Sequence, residues 1–228
     1  MENNIVIGIE GLVGAGKTSI CRELLKQIPN SILLHGGNLY RAIIFAFMKY
    51  GNIDISSLKE NIQNIDARQL MEKLKIELKV ENNETVIYIA GDKIDEEKLQ
   101  SSDASLAVSI AGKEANNLAL YQFARQIIEK FKLRYNVIVS GRALMEIYPE
   151  LDYHFLVTAS LEERINRKYI QYKGEVSKEK IKENIIKRDE LQEKSGYYKK
   201  YDKTITVDVT DCKTVEESTQ KILEYIKL

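Results

Sequence analysis

The chain has no tryptophan, two prolines and two cysteines in 228 residues. Two cysteines, Cys21 and Cys212, are too few for a disulfide framework and read as reduced thiols. No apolar run approaches the roughly 20 residues that span a bilayer. The chain enters an apolar strand at once, with no charged segment, long apolar run and cleavage site of the kind that directs export. An excess of charge is missing too: 34 basic and 34 acidic residues cancel. Composition therefore points to neither nucleic acid nor an acidic membrane surface as a partner. Repeats, linkers and low-complexity tracts are also lacking. What remains is 44% hydrophobic and 30% charged, enough to bury a core and stay soluble, in a length that suits one large domain. The expectation is a reduced, cytoplasmic enzyme.

The most informative stretch is Gly11-Leu12-Val13-Gly14-Ala15-Gly16-Lys17-Thr18. It follows the apolar run Ile5-Val6-Ile7-Gly8-Ile9 and precedes a helix-like segment, 19–27. Strand, glycine-rich loop and helix with the spacing G-x-x-x-x-G-K-T form a phosphate-binding loop. The glycines let backbone N–H groups turn inward on phosphate oxygens, and the helix N-terminus adds partial positive charge. On this reading Gly11, Leu12, Val13, Gly14, Ala15, Gly16, Lys17, Thr18 and Ser19 hold ATP. Lys17 reaches the β- and γ-phosphates, and the Thr18 hydroxyl ligates Mg²⁺.

The rest of the chain alternates strand and helix. A buried strand is expected at 31–35 and an apolar helix at 39–48, with Arg41 one turn in, either snorkelling past the core or facing the phosphate site. Residues 53–70 are polar, helical or irregular. The period then changes: 74–81 alternates apolar and charged, Asn82-Asn83 turns, 85–90 returns, and Gly91-Asp92 turns again. This hairpin interrupts the βα alternation and reads as an inserted lobe. Ser101-Ser102-Asp103 caps a helical region over 104–131, with a break expected near Gly112. The apolar run 137–140 suits a central parallel strand, with Gly141-Arg142 at its C-terminal end, where open α/β sheets bind ligands. Residues 153–158 form another strand; His154 reads as a packed strand residue, and His35 likewise, although it ends its strand. Ser160 with Glu163 forms a capping box for a helix to about 172. Gly174 breaks it, and Ser177 caps a second helix to about 194. This basic helical hairpin reads as a lid that closes and excludes water. A strand at 204–209 and a helix capped by Thr214 complete a parallel sheet flanked by helices.

The order of parts resembles the bacterial cytidylate kinase family over nearly the whole chain. The resemblance rests on the phosphate loop, Gly37-Asn38-Leu39-Tyr40-Arg41 and the hairpin ending Ile89-Ala90-Gly91-Asp92-Lys93. It continues through the 104–131 region, Gly141-Arg142, Ala159-Ser160-Leu161-Glu162-Glu163-Arg164 and Lys187-Arg188-Asp189. It implies an α/β P-loop kinase fold with a central parallel sheet, an inserted hairpin lobe that binds the acceptor, and a helical lid. The implied parts are a core (1–35, 104–158 and 204–228), an acceptor region (36–103) and a lid (159–203). The implied activity is transfer of the ATP γ-phosphoryl group to CMP or dCMP by a monomer acting on small nucleotides. Arg164 and Arg167, with Lys168 beside them, would close on the transferring group. Gly37, Tyr40, Arg41, Arg142, Arg188 and Asp189 would hold the acceptor.

The chain departs from the family pattern around the acceptor. Ser140-Gly141-Arg142-Ala143 stands where the family has Asp-Gly-Arg-Asp. Gly36 replaces a serine and Asn117 an arginine. Leu191, Gln192 and Ser195 replace Arg, Asp and Arg, and Gly196-Tyr197-Tyr198-Lys199-Lys200-Tyr201 replaces a proline-bearing stretch. An acceptor phosphate is already ionised and needs no general base, so these losses bear on base recognition more than on phosphoryl transfer. Two alternatives stay open: a kinase of this fold with another small acceptor, and a nucleotide-binding homologue without catalysis.

Overall fold

The computed structural model describes residues 4–50, 75–95 and 118–227, together with Glu72 and Leu99. The polar stretch 53–70, the cap at 101–103 and residues 104–117 of the expected helix, Asn117 among them, lie outside the described residues. The chain divides into two compact units, 1–33 with 135–228, and 34–134.

The first unit is a parallel α/β layer. β1 (Val6–Gly11) is buried along its whole length, as a strand covered on both faces must be. It pairs in parallel with β6 (Asn136–Ser140) and β7 (Tyr153–Thr158), and β8 (Thr204–Asp208) adds to β7. The first residues of β2 (Ser31–His35) flank β6 on the other side. Helix α1 (Lys17–Gln27) buries Ile20, Cys21 and Leu24 against this sheet, in one core with Ile7, Ile9, Phe155, Val157 and Val207. Cys21 thus packs on the inner face of α1.

The second unit holds helix α2 (Gly36–Tyr50), the antiparallel strands β3 (Ile76–Glu81), β4 (Glu84–Ile89) and β5 (Asp92–Lys93), and helix α3 (Leu118–Lys132). Leu39, Ala42, Ala46, Ile76, Ile87, Ile89 and Phe123 form its core. Asn82 and Asn83 take φ of 50° and 63°, the left-handed pair that a tight hairpin needs. β3 begins at Ile76 rather than at residue 74, since Lys75 is itself left-handed. The second turn sits at Ala90-Gly91, so Asp92 opens a strand instead of turning. α2 begins at Gly36, three residues before the apolar run that predicts it.

Helices α4 (Leu144–Ile147), α5 (Leu161–Gln171), α6 (Lys178–Lys194) and α7 (Val215–Leu223) complete the first unit. α4 was not foreseen: one turn is too short to show a period. Ser160, Ser177 and Thr214 cap α5, α6 and α7 through the N–H groups of Glu163, Lys180 and Glu217. The capping box is half made. Ser160 N–H donates to Thr210 Oγ1 at 2.9 Å, and the Glu163 carboxylate turns to Arg167 Nε at 2.8 Å.

Candidate active site

The site grows from the end of β1. The chain leaves the sheet with Leu12 N–H still bonded to Val157 O at 3.1 Å, then makes a turn closed by Ala15 N–H to Leu12 O at 3.2 Å. Gly14 and Gly16 take φ of 82° and 93°, a region open to glycine and strained for other residues. Gly16 is the N-cap of α1 and supplies no side-chain cap; the first turn carries no acidic residue. A helix start with uncapped N–H groups at the end of a buried strand favours an anion. Lys17 is half-buried beside it, and Thr18 and Ser19 are exposed. These residues fit a nucleoside triphosphate. The Thr18 hydroxyl fits Mg²⁺, which keeps most of its ligands from water and phosphate.

Helices α5 and α6 pack onto the loop. Val13 shares a small core with Ile181 and Ile185, supported by Leu161, Ile165 and Val176. Arg164, 7% exposed, donates from Nη1 to Val13 O at 3.2 Å and to the Asp189 carboxylate. Asp189 Oδ1 accepts Val13 N–H at 3.3 Å. Both polar groups around Val13 are therefore held by one arginine–aspartate pair, with the arginine buried and the aspartate half-buried. Arg167 donates from Nη1 to Ala15 O at 3.0 Å and from Nη2 to Val209 O at 2.7 Å and Cys212 O at 3.3 Å. The guanidinium groups of Arg164 and Arg167 thus bind loop carbonyls. Carbonyls held on this side leave the alternate N–H groups of the loop for the other.

Beside this clamp lies a cavity of about 220 Å³, lined by Val13, Lys168, Tyr172, Lys180, Asn184 and Arg188 among others. Desolvation, then the charge of Arg188, holds the Lys168 ammonium below the ordinary lysine range. Desolvation, then Arg142, lowers Arg188 in the same way. Arg142, Arg188 and Lys168 are therefore successive cations, each felt by the next. Arg188 is exposed, so solvent screens part of this repulsion, and the cluster still favours an anion. Arg142 lies over the rings of Tyr197 and Tyr198, 5.8 Å and 5.7 Å from their centroids. The Tyr198 hydroxyl meets Arg142 Nη1 at 3.5 Å, Asp189 Oδ1 at 3.4 Å and the Gln192 amide oxygen. Burial pushes both tyrosine hydroxyls up, so they stay protonated.

The sequence-predicted residues thus fall into two sets. Residues 11–19, Arg142, Arg164, Arg167, Arg188 and Asp189 belong to the first unit. Gly37, Tyr40 and Arg41 belong to the second, on the first two turns of α2, where Arg41 Nη1 donates to Asn38 Oδ1 at 3.4 Å. His154 is 1% exposed, with Nδ1 2.9 Å from Thr204 Oγ1, a packed strand residue. His35 pairs with Glu84 at 2.8 Å. Sequence reading passed over Glu10, a buried carboxylate directly before the loop. Its Oε1 accepts Leu144 N–H at 2.7 Å and lies 3.4 Å from His154 Nε2, so it braces the turn that carries Arg142. A charge inside an apolar strand was the available signal. Tyr198 was passed over as well, and its left-handed φ has no sequence signature.

A family model described as cytidylate kinase matches residues 7–228. The cytidylate kinase of Clostridioides difficile (strain 630) is 32% identical, covering 99% of this chain and 99% of that protein. That of Aquifex aeolicus (strain VF5) is 31% identical, covering 96% and 95%. Among solved structures, an uncharacterised protein from Eubacterium ventriosum ATCC 27560 aligns over 98% of both chains with 14% identity and a TM-score of 0.49.

Proposed function

The chain belongs to the cytidylate kinase family, and from that premise we propose that it transfers the γ-phosphoryl group of ATP to CMP or dCMP. That it is a kinase, a phosphotransferase, follows from the family. What supports the finer reading is the cavity that Lys168 and Arg188 line together with Val13 of the glycine loop, next to a helix with no side-chain cap. Phosphoryl transfer asks a protein mainly for positioning and charge neutralisation.

On this reading the N–H groups of Gly14 and of Gly16 to Ser19, with the Lys17 ammonium, hold the donor's β- and γ-phosphates; the Ala15 N–H is taken by Leu12 O. Thr18 would hold Mg²⁺, which would supply charge neutralisation to the phosphates. Arg142 and Arg188 hold the acceptor phosphate. Lys168 neutralises charge on the transferring group. Arg164 and Arg167 serve the reaction by fixing the loop carbonyls of Val13 and Ala15. The acceptor oxygen attacks as an anion, so no side chain need remove a proton. The protein acts as a cytoplasmic monomer on small nucleotides; among the described residues no helix is long and apolar enough to cross a membrane.

A second acceptor class has one observation in its favour. Gln192 and Asp189 are both engaged by Tyr198, and Ser140 and Ala143 carry no carboxylate, so cytosine recognition must come from other groups. An ADP-release screen over CMP, dCMP, UMP, AMP and small phosphorylated metabolites separates the readings. Preference for CMP or dCMP supports the proposal. Preference for another acceptor replaces it, and ATP binding without acceptor-dependent turnover leaves a binding protein.

A further inference from the structure

The segment that follows α6 holds an unusual backbone. Gly196 ends the helix at φ 76°, with Gly196 N–H on Glu193 O at 2.9 Å and Tyr197 N–H on Gln192 O at 3.0 Å. This paired arrangement is a Schellman turn, and glycine suits it. The next turn is different. Tyr198 sits at φ 68°, where a bulky side chain is a genuine outlier and costs on the order of 1–2 kcal/mol. Such a conformation persists only where surrounding contacts hold it. Tyr198 has those contacts. Its ring lies under Arg142, and its hydroxyl meets Arg142, Asp189 and Gln192.

We propose that Tyr198 is a positioning residue: ring and hydroxyl hold the Arg142 guanidinium and join it through Asp189 to the peptide of Val13 in the glycine loop. Arg142 Nη1 donates to the hydroxyl oxygen. The hydroxyl proton goes to either Asp189 Oδ1 or Gln192, and burial keeps that proton in place at working pH. Asp189 in turn accepts Val13 N–H and pairs with Arg164. An acceptor-side cation is thereby registered against the donor loop by one hydroxyl. The flanking Tyr197 ring covers Arg142 as well, so the guanidinium is confined before any ligand arrives. A preorganised cation spends less binding free energy on ordering. The inference rests on the role proposed above for Arg142.

Kinetics of the full chain with ATP and CMP test it. Tyr198→Phe keeps the ring and removes the hydroxyl. A hydrogen bond to a charged group is worth enough for about a tenfold effect. The KM for CMP should therefore rise about tenfold, with the KM for ATP within about twofold of wild type and the melting temperature lowered by no more than a few degrees. Arg142→Lys alone should weaken CMP use, and adding Tyr198→Phe to it should cost less than in the wild-type background, because the two act as one unit. An unchanged KM for CMP, an equal rise in both KM values, or strict additivity would overturn the proposal. If wild-type protein phosphorylates none of CMP, dCMP, UMP and AMP, the function reading falls instead. Calorimetric titration of inorganic phosphate into the ADP-saturated proteins then decides the inference. Tighter binding by wild type than by Tyr198→Phe supports it, and equal binding overturns it.

Discussion

Lys17 stands at the start of α1, where the loop N–H groups and the helix terminus already favour an anion. Its loss removes the one donor in the motif that can reach between phosphates. Lys17→Ala should lower turnover by at least about 10³-fold, read by ADP release at saturating ATP; a near-normal rate would sink the assignment. Lys168 gives a pH signature. Its folded-state value lies below the ordinary 10.5, so the charge is lost at lower pH than from a free lysine. The alkaline limb of kcat/KM, which reports the free enzyme, should start early, and Lys168→Arg should move it to higher pH. The sign for stability is opposite: between the lowered value and 10.5 the unfolded chain binds the extra proton, so stability rises with pH across that window. Arg164→Ala should cost about 2 kcal/mol in urea unfolding, because it strands the Asp189 carboxylate and the Val13 carbonyl. Lys17 and Thr18 were legible because a motif of local spacing names them. The surroundings of Lys168, and the parts played by Glu10 and Tyr198, were not. Glu10 meets Leu144 across 134 residues and Arg142 meets Tyr198 across 56, and no local pattern carries such pairings.

Elements were read with uneven success, for physical reasons. Caps are local hydrogen bonds, so Ser160, Ser177 and Thr214 could be placed from the sequence to the residue. The reciprocal half of the capping box failed because Glu163 had a better partner in Arg167, a charge-assisted bond. Strand starts slipped where a left-handed residue intervened, as at Lys75. The glycine loop is the element on which most depends. Gly16→Ala would place a side chain at φ 93°, with its Cβ 3.5 Å from Arg167 Nη1. Strain of about 1–2 kcal/mol falls directly on the helix start, so ATP affinity should drop about tenfold by calorimetry while the fold is kept. Unaltered affinity would mean that the loop tolerates another shape.

At the scale of the whole molecule, the alternation of strand and helix was enough to predict the parallel sheet, since β1, β6 and β7 are short apolar runs with no polar face. The hairpin was legible for the opposite reason: its period of two stands out among helices. Function was legible to the level of phosphoryl transfer. The acceptor was not, because recognition there depends on side chains from segments far apart in sequence. A ligand that binds only the folded chain stabilises it by mass action, by about 2.7 kcal/mol at a hundredfold excess over Kd. Mg²⁺ and ATP should therefore raise the melting temperature of wild-type protein and leave that of Lys17→Ala almost unmoved.

The central claim is phosphoryl transfer to a cytidine monophosphate. Its most direct test is to incubate the protein with ATP, Mg²⁺ and an equimolar mixture of CMP, dCMP and UMP, and to identify the diphosphates formed by mass spectrometry. The account predicts CDP and dCDP in amounts that match the ATP consumed, and neither with Lys17→Ala. Unconsumed ATP, or UDP formed ahead of CDP, would contradict it.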